Sequence, residues 1–400
     1  MENALLSEAF EMKDQINYHR NFLHANAEVG FDLPKTYAYV HDQLSQMGYN
    51  VKPCGKCGLT AAITGKRDGK TMLLRADMDG LPILEESKEP FASTNGNMHA
   101  CGHDMHTAML LGAAKLLMNH KDEIQGTVKL MFQSAEEILH GAKDMIDCGV
   151  LKNPDVDAAM MIHVATALSI PIGSILIPAP GISAPAADYF TIRVHGKGCH
   201  GSAPQDGIDA LTAAAHILIG LQEIKARESG IFDQVIMTIG TMKAGSASNV
   251  IADNAVMGGT IRTFNEELRS RIKERITQIA VGIGSAFRTE VTVEYDIGCP
   301  VLINNANLSE FAEKELPNLL KDKAIPIRKI QSDGKPSAGG SEDFSYIANS
   351  VPSLMLSLAA GNQKDGYEYP LHHPKVRFDP AALPYGAATL AFMAISYLKS

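Results

Sequence analysis

The sequence predicts an α/β protein of two domains, in which a domain built on a mostly parallel sheet is interrupted by a smaller, ferredoxin-like domain. In roughly the first 180 residues, short apolar runs alternate with helical periodicity, and this order is typical of a parallel sheet covered by helices on both faces. From about residue 188 to about residue 296 the order becomes β-α-β-β-α-β, that of a ferredoxin-like unit. Patterns of the first kind then return, so the second domain is inserted into the first.

Four short apolar runs are the predicted strands of the first region. They are LTAAITG (59–65), TMLLRA (71–76), TVKLMFQ (127–133) and AAMMIHV (158–164). Helical periodicity covers residues 5–23 and 36–48, and a further helix begins near His106. After the insertion, residues 352–360 are a predicted strand and residues 383–399 a predicted closing helix.

The inserted region contains four predicted strands and two predicted helices. The strands are 188–196, 234–245, 254–264 and 289–297, and the helices are 207–226 and 266–287. A chain of 400 residues also exceeds the usual size of one hydrophobic core, which independently favours two domains.

Composition and charge argue against several function classes. The net charge is −9 with no block of Lys or Arg, so nucleic acid is not an expected partner. We expect no apolar run to be long enough to span a membrane, and the first residues lack a signal-peptide pattern. The sequence therefore predicts no membrane partner and a cytoplasmic location. The six cysteines should then be thiols. The CxxC of Cys54 and Cys57 is interpreted as a surface loop rather than a redox or zinc motif.

Side chains that bind metals recur where the predicted strands end. They are Asp77 and Asp79 after strand 71–76, Glu136 and Glu137 after strand 127–133, and His163 at the end of strand 158–164. The stretch NMHACGHDMHTA adds Cys101 and His103 in a loop before a helix. Because the carboxyl ends of parallel strands lie along one edge of a sheet, we expect these groups to meet there. The sequence therefore predicts a metal site, completed by a later histidine.

Two adjacent glutamates suit a hydrolytic metal site. One carboxylate can coordinate a metal and stay ionised, while its neighbour takes a proton from the attacking water and returns it to a leaving nitrogen. A thiolate beside imidazoles and carboxylates suits Zn²⁺, Mn²⁺, Co²⁺ or Ni²⁺ better than Mg²⁺ or Ca²⁺.

Nine segments of the chain together resemble the M20 metallopeptidase family, in particular its amidohydrolase branch of aminoacylases, hippurate hydrolases and auxin-conjugate hydrolases. They are LLRADMDGLPI, MHACGHDMHTAMLLGAA, LMFQSAEE, GAKDMIDCGVL, GKGCHGSAP, SNVIAD, GTIRT, GSEDFSY and LHHPKVRFD. The resemblance implies a zinc-peptidase-like catalytic domain of residues 1–184 and 298–400, and a lid and dimerisation domain of residues 185–297. One departure is HANAE (24–28), where Ala27 replaces the family's usual proline.

The resemblance also implies roles for individual residues of the catalytic domain. The metal ligands would be Cys101, His103, Glu137, His163 and His372. Cys101 would bridge two divalent ions, with Zn²⁺ or Mn²⁺ favoured and Co²⁺ or Ni²⁺ as alternatives. Glu136 matches the general base, and Asp79 matches an aspartate that orients a ligand. Asp77 stands where other branches have a metal-binding histidine, and its role is left open.

Three residues of the inserted domain match lid positions of the family. His200 would stabilise the oxyanion, often in a neighbouring subunit's site. Asn249 and Arg262 would hold the substrate's carboxylate, which a guanidinium can bind through both oxygens. An ordinary salt bridge on a strand is the alternative explanation for Arg262. The implied assembly is a homodimer or a higher homo-oligomer formed through the lid domain.

The expected function is hydrolysis of the amide bond of an N-acyl-L-amino acid to a carboxylic acid and a free amino acid. A dipeptidase and an N-acetyl-diaminopimelate deacetylase of the same family are alternatives. The alternative from another class is a non-catalytic metal-binding protein. The presence of Glu136 beside the ligands argues against it, because structural zinc sites are closed by four ligands.

Overall fold

The structure, a computed structural model, describes residues 2–329 and 340–400. These residues form two compact units. Unit 1 contains residues 2–183, 303–329 and 343–400, and unit 2 contains residues 184–302 and 340–342. Most of unit 2 therefore lies between two stretches of unit 1 along the chain.

The helices and strands are numbered in chain order. The helices are α1 (Glu2–Glu11), α2 (Lys13–Ala25), α3 (Pro34–Gln46), α4 (His103–Asn119), α5 (Gly141–Asp147), α6 (Ala210–Glu223), α7 (Glu266–Ala286), α8 (Ala306–Leu320), α9 (Ser345–Ala348) and α10 (Leu383–Leu398). The strands are β1 (Lys52–Cys54), β2 (Gly58–Thr64), β3 (Thr71–Asp77), β4 (Thr127–Gln133), β5 (Ala158–Ala165), β6 (Ile175–Ile177), β7 (Gly181–Ala184), β8 (Ala186–His195), β9 (Cys199–His200), β10 (Val235–Ala244), β11 (Val250–Ile251), β12 (Asn254–Thr263), β13 (Glu290–Cys299), β14 (Leu302–Asn304), β15 (Ala324–Pro326) and β16 (Ser353–Ala359).

Unit 1 is built on an eight-stranded sheet with the order β1-β2-β4-β3-β5-β16-β6-β15. Its central strands are parallel: β3 pairs with β4 and with β5, and β5 pairs with β16. The prediction of a largely parallel sheet is therefore confirmed for the centre. The β1–β2, β2–β4 and β16–β6 pairs are antiparallel. For β1 and β2 the reason is local, because the connection of residues 55–57 is too short for a parallel crossover. The CxxC therefore lies in a hairpin, and Cys54 is buried there rather than exposed.

Helix α10 lies in the core of unit 1 and packs against α4. A Cβ on Gly386 would lie 2.0 Å from the sulfur of Met109, so a larger residue would force the Met109 side chain to move where the two helices touch. Among the described residues, one helical segment, Pro380–Leu398, is long and apolar enough to cross a membrane, and 78% of its apolar window is buried by the rest of the protein. Its length and composition differ from the expectation that no apolar run is this long, but burial in the core of unit 1 accounts for its apolar composition.

Unit 2 has a four-stranded antiparallel sheet with the order β10-β12-β8-β13, and α6 and α7 pack on it. The strands and helices follow one another along the chain as β-α-β-β-α-β. Asp209 and Asn265 cap α6 and α7, because each side chain accepts hydrogen bonds from backbone N–H groups of the first turn. The predicted helix 207–226 therefore begins later than expected, at Ala210. β13 extends to Cys299, which pairs with β8 and keeps residues 298–302 in unit 2.

Two further helix predictions differ from the structure. The predicted helix of residues 5–23 is two helices, α1 and α2, because Met12 leaves helical geometry with ψ near 2°. Helix α4 begins at His103 rather than near His106, since Gly102 turns the chain at φ 86° just before it. His103 and His106 therefore lie on the first turn of one helix.

Candidate metal centre

The predicted metal ligands lie together in unit 1. Among the described residues, five groups of three side chains have ligand atoms within 4.8 Å of one another, and two of these groups contain only predicted ligands: Cys101, His103 and His163 form one group, and Cys101, Glu137 and His372 form the other. Cys101 belongs to both groups. The structure thus brings together the whole predicted ligand set around one cysteine.

Parallel pairing explains why residues so far apart in sequence meet. β3 is parallel to both β4 and β5, so the carboxyl ends of all three strands lie at one edge of the sheet. β4 ends shortly before Glu136 and Glu137, and His163 lies near the end of β5. Helix α4 begins at this edge and brings Cys101 and His103 to it.

The first group has distances suited to a tetrahedral ion. The Sγ atom of Cys101 lies 3.6 Å from Nε2 of His163. An ion at about 2.3 Å from sulfur and about 2.1 Å from nitrogen would hold these atoms about 3.6 Å apart. The Nδ1 atom of His163 donates to the Val164 carbonyl at 2.7 Å, which leaves the lone pair on Nε2, facing Cys101.

Glu137 faces two imidazoles. Its Oε1 lies 3.7 Å from Nε2 of His103 and its Oε2 lies 3.7 Å from Nε2 of His372. Oxygen and nitrogen ligands of a tetrahedral zinc would be about 3.4 Å apart, so little movement would close such a site. Nε2 of His103 makes no hydrogen bond among the described residues, while its Nδ1 donates to the Asp79 carbonyl at 2.8 Å. These residues therefore fit a divalent cation.

Burial sets the protonation of the ligands. Burial raises the pKa of the Cys101 thiol to about 12, and burial together with the nearby His106 lowers the pKa of His163 to about 3. Burial opposes protonation of His103, but Asp77, Asp79 and Cys101 together outweigh it and hold the pKa of His103 well above its usual value. His163 is thus neutral at pH 7, as a ligand must be, whereas Cys101 and His103 would each release a proton when a cation binds.

Asp79 organises the turn that carries both glutamates. Its Oδ1 accepts the backbone N–H of Glu136 at 3.0 Å and its Oδ2 accepts that of Glu137 at 3.1 Å. The preceding residue, Ala135, has φ 59°, and His372 has φ 65°. Left-handed backbone at residues other than glycine is costly and clusters at functional sites.

Asp77 lies beneath the ligands in a buried ion-pair network that the sequence analysis missed. Arg75 donates from Nη1 to Oδ2 of Asp77 at 2.7 Å and from Nη2 to Oδ1 of Asp343 at 2.9 Å. All three side chains are fully buried. The available signal was an arginine within the otherwise apolar strand TMLLRA.

A second buried network supports the start of α4. Oδ2 of Asp104, the residue after His103, accepts hydrogen bonds from Arg20 at 3.0 Å and from His24 at 2.9 Å, and His24 also donates to Glu85 at 2.9 Å. Burial opposes protonation of His24, but the carboxylates of Asp104 and Glu85 together outweigh it and raise the pKa of His24 to about 9. Helix α2 is thereby tied to the segment that carries the ligands.

The predicted residues of unit 2 lie in two places. His200 is exposed on β9, where it pairs with Val250 of β11, so Asn249 is its neighbour. Arg262 lies on β12 and donates to the hydroxyls of Ser341 at 2.6 Å and Tyr189 at 3.0 Å. No ion pair involves Arg262 within residues 2–329 and 340–400, so the salt-bridge explanation finds no support there.

Comparisons with known proteins give consistent matches. The profile of Peptidase family M20/M25/M40 matches residues 73–396. The chain is 37% identical over 406 aligned positions to the IAA-amino acid hydrolase ILR1-like 2 of Arabidopsis thaliana, covering 100% of this chain and 88% of the relative. It is 34% identical over 366 positions to the N-acetyl-L-cysteine deacetylase of Bacillus subtilis, covering 91% and 83%.

A solved structure matches over nearly the whole chain. The Bacillus subtilis YXEP protein, described as a dinuclear metal-binding peptidase from the M20 family, has a TM-score of 0.78 at 30% identity, covering 97% of this chain and 99% of that one.

Proposed function

Because the chain belongs to peptidase family M20/M25/M40, we propose that it is a metal-dependent hydrolase that cleaves the amide bond of N-acyl-L-amino acids. The observation that carries the proposal is that Cys101 belongs to two ligand groups at once. Beside them lies a further carboxylate, that of Glu136, which is outside these two groups but forms other candidate groups with His103 and Glu137 and with Glu342 and Asp343. A closed structural zinc site would have four ligands and no such carboxylate.

Two divalent ions would fit these residues: His103 and His163 would hold one together with Cys101, and Glu137 and His372 would hold the other together with Cys101. The mixture of thiolate, imidazole and carboxylate favours Zn²⁺ or Mn²⁺, with Co²⁺ or Ni²⁺ as alternatives. The description of the YXEP protein as dinuclear supports this count. When bound, such ions polarise a carbonyl oxygen and lower the pKa of water.

Glu136 is the proposed general base. Its carboxylate is buried and its Oε2 lies 3.8 Å from Nε2 of His103, so it is adjacent to the ligands. Asp79 fixes the backbone of Glu136 and Glu137, and both carboxylates come close to Nε2 of His103. Glu137 also lies 3.7 Å from His372, so we assign Glu137 to the metals and Glu136 to accepting the proton of the attacking water. Glu136 then returns that proton to the nitrogen of the departing amino acid.

Three residues of unit 2 are proposed to handle the substrate. Arg262 would bind the α-carboxylate together with Asn249, and His200 would stabilise the oxyanion. Support for Arg262 comes from its two hydrogen bonds, which go to neutral hydroxyls, and no carboxylate of the described residues forms an ion pair with it. The names of the two relatives, which specify an amino acid conjugate and an N-acetyl amino acid, support this substrate class.

Unit 2 is also the proposed lid and the proposed contact between subunits of a homodimer or a higher homo-oligomer. β10 is at one edge of its sheet, and Ile236 on that strand is 61% exposed. An exposed edge strand with apolar side chains is suited to pairing with a second chain. A solution mass of one chain would contradict this assembly.

A substrate panel tests the proposed function. We expect the metal-loaded protein to hydrolyse members of a panel of N-acetyl, N-benzoyl and longer N-acyl amino acids, assayed beside plain dipeptides and N-acetyl-diaminopimelate. Protein treated with a chelator should be inactive and should recover when metal is added. Hydrolysis restricted to dipeptides, or to N-acetyl-diaminopimelate, would assign the corresponding alternative. Folded, loaded protein that cleaves no amide in the panel would contradict the proposal.

A further inference from the structure

His106 lies between two of the proposed metal ligands without belonging to either group around Cys101. It is 2% exposed and lies on the first turn of α4. Its ring is stacked near that of His103, with centroids 5.4 Å apart, and meets the ring of His163 edge-on at 4.7 Å. Whatever fixes His106 therefore also limits how these two ligands can move.

Hydrogen bonds fix the tautomer of His106. The N–H of Val164 can only donate, and it points at Nε2 of His106 at 2.8 Å, so Nε2 is the acceptor. Nδ1 consequently carries the proton and donates to Oδ1 of Asp77 at 2.6 Å. Asp77 is itself held by Arg75 through its other oxygen, so the ring has a rigid support.

The peptide bond that His106 contacts is the one that directly follows His163. Its N–H is held by His106, and the next carbonyl, that of Val164, accepts from Nδ1 of His163. The backbone that carries His163 and the orientation of its ring are therefore both linked to His106. We infer that His106 is a positioning residue, which holds His163 at the place and angle that metal binding requires; this inference rests on the proposed metal-dependent function.

A role as a ligand itself fits His106 less well. Asp77, His103 and His106 lie close enough together to form a metal-binding group of their own. Both ring nitrogens of His106, however, already make hydrogen bonds, and both oxygens of Asp77 are engaged at 2.6 and 2.7 Å. A metal in this group would have to break these contacts, whereas a positioning role uses them as they are.

Two amide substitutions separate the two hydrogen bonds of His106. In His106→Asn the amide lies near the place of Nδ1 and can donate to Asp77, but it is too short to reach Val164. In His106→Gln the amide oxygen reaches the place of Nε2 and can accept from the N–H of Val164. The affinity for Zn²⁺ is measured by calorimetric titration with Zn²⁺ alone. At the weaker of the two Zn²⁺ sites, the dissociation constant should be about 10–100-fold higher in His106→Asn than in the wild type, which is the usual effect of losing a group that supports a ligand. His106→Gln should retain most of the affinity.

A matched control separates positioning from general stability. His19 is buried in the same unit and bonds Tyr39 at 2.8 Å, so His19→Gln also removes a buried imidazole. It should lower the unfolding temperature without changing Zn²⁺ affinity. Equal Zn²⁺ affinity in His106→Asn and His106→Gln, or wild-type affinity in His106→Asn, would overturn the inference. Either of these results would leave the proposed function intact, provided that the wild type binds two Zn²⁺ ions and hydrolyses N-acyl amino acids. A wild-type protein that binds no Zn²⁺ would overturn both.

Discussion

Replacing Glu136 by glutamine should leave the fold and metal binding in place but lower kcat by about 10²–10⁴-fold, the usual contribution of a general base. Glutamine is nearly isosteric with glutamate, and its amide cannot accept the proton of the attacking water. The backbone N–H of residue 136 would still bond Asp79, so the turn should keep its shape. Turnover per bound metal, measured with a metal count on the same sample, checks the prediction.

The matched control is Glu137→Gln, the same change one residue along the chain. Glu137 faces both His103 and His372, so its loss should weaken metal binding, and added metal should restore part of the activity. If Glu136→Gln loses its metal while turnover per remaining metal stays normal, the two glutamates have been assigned each other's roles.

The second large effect should come from the substrate's α-carboxylate. Amidating this group should lower kcat/KM by about two orders of magnitude. Removing one partner of a buried charge pair leaves the other charge, here that of Arg262, buried without a partner. Arg262→Ala should lower kcat/KM for the acid by a similar factor and hardly change it for the amide. Steady-state kinetics of both proteins on both substrates check the prediction.

Arg193 provides the control for Arg262. It lies on β8 of the same sheet, is largely exposed and pairs with Glu294 at 3.3 Å. Arg193→Ala should leave the preference for the acid intact. Equal rates on acid and amide in the wild type would refute the carboxylate requirement. A preference that persists in Arg262→Ala would assign the recognition to another group, with Asn249 the first to examine.

The sequence predicted most of the candidate ligands because their signals are local, whereas His372 was assigned only through the resemblance to the family. Cys101 and His103 stand two positions apart in one short stretch, and Glu136 and Glu137 are adjacent and closely follow the apolar run of residues 127–133. The rule that parallel strands end at one edge then predicted that they meet. The motifs also indicated the family, and the match over residues 73–396 confirms it.

The supporting network could not be predicted because its contacts join distant parts of the chain. Arg75 and Asp343 are separated by 268 positions, and no local pattern relates them. The role of Asp77 depends on that contact and on His106, so it stayed open at the level of sequence. Helix α8, which the sequence analysis did not identify, contains Pro317 in its interior, a residue that normally ends a helix.

The most direct test of the account is a metal titration followed by turnover. Its central claim is that two ions, sharing Cys101, make this chain an amide hydrolase. When metal-free protein is titrated with Zn²⁺ or Mn²⁺, hydrolysis of a responsive N-acyl amino acid should rise until about two equivalents per chain are bound. The stoichiometry should fall in Cys101→Ser. Full activity at one equivalent that is unchanged in Cys101→Ser, or full activity without metal, would contradict the account.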